Sequence, residues 1–203
     1  YTGGVNLADE YINHIERFGH WKDGGIRLNG RAVKALTRLF LMNWYINRGT
    51  ISDFDQYHLD NKAIDASGLY IPYGSGPKPM YKAQVGKNVY QNIISQATDY
   101  VYIATPYLII DYDLTEDIKN AAMRGVDVRI VTPSIPDKKL IQLITRGAYP
   151  DLIAAGVRIY EYTPGFIHSK HVVADDDFGV VGTINFDYRS LVHHYENAIL
   201  MYK

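Results

Sequence analysis

The chain has 203 residues, 47% of them hydrophobic and 21% charged, with a net charge of −1. That length suits one sizeable domain or a small domain with an appendage, and the near-zero charge argues against a polyanion partner such as nucleic acid. Cysteine is absent, which excludes disulfides and thiolate metal sites, and no apolar run approaches the roughly 18–20 residues that cross a bilayer.

Tyr1–Asn6 reads as a strand end running into a turn, and Ala8–Phe18 as weakly helical. Gly24-Gly25 leads into a short strand, Ile26-Arg27-Leu28, which stops at the turn signal Asn29-Gly30. Val33, Leu36, Phe40 and Trp44 recur at helical spacing and predict a helix over 31–47 with those residues on its apolar face. The segment from Thr50 to about Ser67 is polar and poorly periodic, so it reads as a connection between two units or as a long surface loop. The division expected from it is 1–62 and 63–203.

Beyond Gly68, strands and helices alternate. Strands are predicted at 69–73, 100–104, 126–131 and 157–160, and helices at 87–98, 114–124, 138–145 and 150–155. Asp113 is the expected N-cap of the helix over 114–124, with Glu116 as its capping-box partner and Gly125 as its stop. Residues 168–174 and 179–181 read as paired strands turning at Asp175-Asp176-Asp177, and 198–202 as a last strand. Alternation of this kind predicts an α/β/α sandwich, with helices on both faces of a central mixed β-sheet.

His168-Ser169-Lys170 carries the chemistry. In an extended segment, side chains two apart share a face, so the imidazole and the ammonium stand side by side. Gly182-Thr183-Ile184-Asn185 follows a turn later and returns a hydroxyl and an amide toward the same place. A histidine that attacks phosphorus or carries a proton, with a lysine, a threonine and an asparagine on the phosphoryl oxygens, is a competent set for phosphodiester chemistry. It calls for no metal and no cofactor. Gly3-Gly4-Val5-Asn6 repeats the later motif, and each copy precedes an acid, Asp23 or Glu196, just before a short apolar strand. The first copy lacks an upstream histidine and lysine, so the chain reads as starting past them, as a piece of something longer. The piece itself is expected to be soluble.

His168, Lys170, Asp175, Gly182, Thr183 and Asn185 match the H-x-K-x4-D and G-[GST]-x-N pattern of the phospholipase D superfamily, and the chain resembles that family along nearly its whole length. Thr105-Pro106-Tyr107, Gly165-Phe166-Ile167 before the histidine, Phe186-Asp187-Tyr188-Arg189-Ser190 after the asparagine, and Trp21-Lys22-Asp23 are similar to bacterial cardiolipin synthases. The resemblance implies two such motifs per polypeptide, folded as similar halves about one active site, with residues 1–62 a remnant of the first half and its linker and 63–203 the second, catalytic half. It also implies membrane helices N-terminal to this chain, a bacterial cell-membrane location for the intact parent, and phosphatidylglycerol as the anionic phospholipid substrate.

The implied reaction moves a phosphatidyl group through a phosphohistidine to another phosphatidylglycerol and releases glycerol. His168 is then nucleophile or general acid. Lys170, Asn185 and Thr183 bind phosphoryl oxygens, and Glu196 orients a histidine of either half. Asn6, Gly182 and Tyr107 contribute to substrate binding. Asp175 belongs to the motif, although its place at a strand end favours a structural role as a turn cap or charge partner. The isolated chain is expected to be inactive, since the first histidine–lysine pair is missing. Two alternatives stay open: a single-motif phosphodiesterase or nuclease that dimerises, and a non-catalytic phosphate-binding fragment.

Overall fold

The computed structural model describes residues 1–57 and 67–203; the expected boundary at 62/63 falls outside them. In chain order the strands and helices are β1 (Thr2–Gly3), β2 (Gly25–Ile26), α1 (Val33–Arg48), β3 (Leu69–Ser75), α2 (Val85–Gln96), β4 (Tyr100–Ala104), β5 (Leu108–Ile109), α3 (Tyr112–Met123), β6 (Asp127–Pro133), α4 (Lys139–Gly147), α5 (Tyr149–Ala154), β7 (Arg158–Tyr162), β8 (His171–Ala174), β9 (Phe178–Gly182), β10 (Phe186–Asp187) and β11 (Glu196–Tyr202). The central sheet has seven strands in the order β3-β11-β9-β8-β4-β6-β7. It is antiparallel from β3 to β4 and parallel from β4 through β7. This is the mixed α/β class predicted.

The core lies between this sheet and α2, α3 and α5. Val101 and Ile103 of β4 alternate inward with Tyr100 and Tyr102 outward, and they meet Ile94, Leu114, Ile118 and Leu152, all buried. Along β3 the same alternation turns Tyr73 toward the core and Gly74 away from it. A side chain at Gly74 would collide with Leu39 of α1, so α1 closes on the sheet's second face there.

Several elements differ from expectation. The segment after Ala8 forms only a 3-10 turn, Asp9–Ile12, because Asn13 enters the left-handed region at φ 57° and exchanges two hydrogen bonds with the Trp21 backbone, at 2.6 and 2.9 Å. In α1 the buried residue is Leu41, while Phe40 and Trp44 stack outward with ring centroids 6.1 Å apart. The cap of α3 is Asp111 rather than Asp113. Its carboxylate accepts from Leu114 N at 3.2 Å and from Lys87 Nζ at 2.5 Å, while Asp113 sits in the first turn, 2.9 Å from the same lysine. Glu116 pairs with Lys119 at 2.8 Å instead of reaching back to the cap.

The two small sheets position the site. β1 and β2 pair antiparallel with Gly3 opposite Gly25, and β9 and β11 pair antiparallel with Gly182 opposite Ala198. Gly4 N donates to Gly24 O at 3.0 Å, and Thr183 N donates to Asn197 O at 2.8 Å. Asp23 and Glu196 each precede the paired residue by two. The internal repeat is therefore a repeat of register as well as of sequence. β5 and β10 pair in parallel, Leu108 opposite Phe186, which brings Tyr107 level with Asn185.

Candidate active site

His168 and Lys170 are extended but precede β8 and lie outside the sheet ladder, a departure from the predicted strand over 168–174. What holds them instead is the first-copy segment. Ile167 bridges to Lys22 in parallel, His168 N donates to Lys22 O at 2.7 Å, and Lys22 N donates to Phe166 O at 2.9 Å. This zipper sets Asp23 beside the imidazole, with Oδ2 2.8 Å from Nδ1. Gly4 packs behind the pair, where any side chain would strike the Asp23 carboxylate and the His168 carbonyl. Asp23 is also fixed from its own backbone, Oδ1 accepting from Gly24 N at 2.8 Å.

The contacts at Nδ1 select a tautomer. Lys170 Nζ lies 2.8 Å from the same nitrogen and also donates to the His168 carbonyl. Nδ1 cannot donate to a carboxylate and accept from an ammonium at once. A bare Nδ1 would aim its lone pair at the Asp23 carboxylate, so the proton belongs on Nδ1 and the lysine's hydrogen bond belongs to the carbonyl. Nε2 is left with a free lone pair. Burial is the largest influence on the imidazole and pulls its pKa below 6.5; Asp23 opposes this and Lys170 adds to it. The rings of Tyr11, Trp21 and Phe166, with centroids 5.2, 5.4 and 5.9 Å from that of His168, supply the apolar surroundings.

Lys170 is 4% exposed. Burial pushes its ammonium down to about 7, against the opposing fields of Asp23, Glu196 and Asp187. Those three carboxylates mark which elements converge on it: the loop before β2, the start of β11, and β10. An ammonium so desolvated gains strongly from a bound phosphoryl anion, which would restore its charge.

Thr183 and Glu196 meet across the β9–β11 pair. The Thr183 hydroxyl donates to Glu196 Oε2, Ser190 Oγ donates to Oε1 at 3.1 Å, and His194 Nδ1 lies 3.4 Å from Oε1. Burial raises the Glu196 pKa, while these partners hold it down. The histidine beside Glu196 among the described residues is therefore His194; His168 has its acid in Asp23. Gly182 is buried where a side chain would hit Ala198 and the Asn197 carbonyl.

Asn185 borders a cavity of about 450 Å³ together with Tyr107, Lys138, Ile144, Arg189 and His194. Its Oδ1 is buried with no hydrogen-bond partner among the described residues, which marks it as waiting for a donor or a flip of its amide. Tyr107 contributes its ring, since its hydroxyl donates to Asp137 at 2.6 Å. Thr105 accepts from Phe186 N at 3.1 Å and donates to the Tyr107 carbonyl at 2.9 Å, latching the strand end over the asparagine loop.

Two candidate residues stand apart. Asp175 is at the far end of β8, in the left-handed region at φ 54°. Its carboxylate accepts from Thr98 N (2.7 Å), Asp99 N (3.0 Å) and Tyr100 N (2.8 Å) and from the Thr98 hydroxyl, tying the β8–β9 turn to the start of β4. Asn6 is exposed and donates to Tyr11 OH at 2.8 Å, so it reaches His168 only through that ring. The residues that motif reading passed over are Asp23, Tyr11 and Trp21. Of these, Asp23 had a signal in its place in the repeat opposite Glu196, and Trp21 stood beside it in the family-like stretch Trp21-Lys22-Asp23.

The sequence pattern of the family described as "Cardiolipin synthase, PLD-like domain" matches residues 90–203, more than half of the chain. Cardiolipin synthase 2 of Bacillus cereus is 39% identical over 98% of this chain, and cardiolipin synthase of Geobacillus thermodenitrificans is 37% identical over all of it. An uncharacterized protein of Streptococcus mutans is 50% identical over all of it. The chain spans about two-fifths of the length of these relatives (39%, 40% and 44%). In fold it is similar to phosphatidylserine synthase of Haemophilus influenzae, with a TM-score of 0.66, 16% identity, and 99% of this chain matching 55% of that one. It is also similar to Nuc, a phospholipase D family member from Salmonella typhimurium, with a TM-score of 0.51, 21% identity, and 66% of this chain matching 84% of that one. With its histidine–lysine pair, its repeated glycine–asparagine loops and this sequence match, the chain belongs to the phospholipase D superfamily, in its cardiolipin synthase-like family.

Proposed function

We propose that this chain carries one catalytic half of a phosphatidyltransferase that transfers between phosphatidylglycerol molecules. The observation that carries the reading is the 2.8 Å Asp23–His168 pair, with its desolvated imidazole and the buried Lys170 alongside. A neutral imidazole with Nδ1–H on a carboxylate and Nε2 free is poised as a nucleophile rather than as an acid at neutral pH.

On this reading Nε2 attacks phosphorus, and the bond from phosphorus to the glycerol headgroup oxygen breaks. The departing alkoxide takes a proton from a second imidazole and leaves as glycerol. A hydroxyl of the acceptor phosphatidylglycerol then attacks the phosphohistidine, gives its proton back to that second imidazole, and restores His168. Lys170 and the amide of Asn185 meet the nonbridging oxygens. By register Glu196 is the counterpart of Asp23, so it would orient the second imidazole as Asp23 orients the first. That second imidazole and its lysine would come from the longer polypeptide, as would a membrane anchor; among the described residues no helix is long and apolar enough to cross a membrane.

The two-copy register speaks against the single-motif dimer, because such a chain has no use for a second glycine–asparagine loop with its own acid. The test is His168→Ala in a polypeptide of the relatives' length carrying this chain. Transfer should fall by at least about 10³, and acid-labile phosphate on the wild-type protein should disappear. Near-normal turnover would remove the assignment.

A further inference from the structure

Helix α4 is built inside out. Its buried residues are the polar ones: Gln142 donates to Pro133 O at 2.7 Å, and Thr145 Oγ1 accepts from Leu108 N at 3.3 Å. Leu140, Leu143 and Ile144 stand at i, i+3 and i+4 on the opposite side, 69%, 67% and 47% exposed. A soluble surface seldom shows three aliphatic side chains on one helix face without a use for them. Lys138 and Lys139 begin the helix and Arg146 ends it. Of the nearby acids, Asp137 accepts from Tyr107 OH and stands 3.9 Å from Lys138 Nζ, and Glu161 holds Arg146 at 2.8 Å, so the charge offered to an anion in front of the leucines comes from the two lysines at the start of the helix. The same helix walls the cavity that holds Asn185, through Lys138 and Ile144, and Arg189 and the half-exposed Tyr188 stand on that cavity's rim.

We infer that α4 is a monotopic contact with an anionic bilayer. Leu140, Leu143 and Ile144 dip into the interface and Lys138 and Lys139 meet lipid phosphates, so that the cavity opens onto the membrane surface. An apolar helix face flanked by lysine and arginine is the recurring chemistry of interfacial binding, and the aromatic rim suits the headgroup level. The inference rests on the phosphatidyltransferase reading for its choice of occupant. It adds that the catalytic half holds the membrane itself, independently of any transmembrane segment.

The test is cosedimentation of the chain with vesicles of phosphatidylcholine, with and without phosphatidylglycerol. The wild type should partition onto the phosphatidylglycerol vesicles and release as salt rises. Leu140→Gln with Leu143→Gln should weaken partitioning on the order of 30-fold, with circular dichroism and Tm unchanged, since both side chains are exposed. Lys138→Glu with Lys139→Glu should abolish the preference for anionic vesicles. No partitioning by the wild type, or equal partitioning by the glutamine variant, overturns the inference. Self-association in sedimentation velocity that the glutamine variant loses assigns the face to a second copy and also overturns it. So does a fall in the variant's Tm, which would mean that the leucines pack within the protein. Binding of inorganic phosphate at His168, followed by NMR, is scored separately. Its absence strikes the catalytic reading alone, whereas absent vesicle binding with phosphate bound strikes this surface alone.

Discussion

At the level of single residues, the site turns on a carboxylate 145 positions away in sequence from its imidazole. Asp23 is the principal group raising the His168 pKa against burial. Asp23→Asn keeps the shape and removes the charge, so the His168 pKa should move further below its already lowered position. A histidine Cε1–H NMR titration reads this directly, and an unchanged or higher value would show that Asp23 does not face the ring in solution. Lys170, held near 7 by burial with Asp23 among its opposing fields, should shift the same way. The histidine and lysine were legible from spacing, because two-residue periodicity in an extended chain is local. Asp23 was legible only as the mirror of Glu196; that it serves His168 follows from the Lys22 zipper, which no local pattern announces.

At the level of elements, the β8–β9 hairpin shows how one motif residue can serve the fold while its neighbours serve the site. Asp175 anchors three backbone N–H groups at the start of β4, and hydrogen bonds to a charged group are worth about 1.5–3 kcal/mol each in the best case. Asp175→Asn tolerates the left-handed backbone and should lower stability by about 1–2 kcal/mol, read from the urea midpoint at pH 7. Burial pushes the Asp175 pKa upward, but the backbone N–H groups outweigh it and hold the value low. A carboxylate whose folded pKa is depressed stabilises above its unfolded value of about 3.9 and loses that contribution as pH falls through the lower folded value. The gap between wild type and variant should therefore close in acid; a gap that persists at low pH would place the effect elsewhere. The hairpin, its turn and most strands were readable from alternation and turn residues. The faces of α1 and α4 were not, because periodicity states which residues share a stripe and is silent on which stripe the neighbours cover. Phe40 and Trp44 look outward for this reason, and so do Leu140 and Leu143.

At the level of the whole molecule, one imidazole has its acid and its lysine, while Glu196, the matching acid, is occupied by Thr183, Ser190 and His194. The 203-residue chain alone should bind phosphate but show no turnover of bis(p-nitrophenyl) phosphate. Assay and sedimentation should be run on the same sample, and robust turnover by a strict monomer would refute the two-half scheme.

The amino-acid sequence by itself determined the alternating α/β order, the histidine–lysine pair, the repeated glycine–asparagine loops and the two acids that follow them. All of these are local in the chain, and steric rules for strands, turns and glycine act locally. Only the tertiary structure decided which acid meets His168, where Asp175 spends its charge, and which side of α4 faces out. Those outcomes depend on strand register and on which surfaces remain after distant segments have packed, quantities that exist only once the chain has closed on itself.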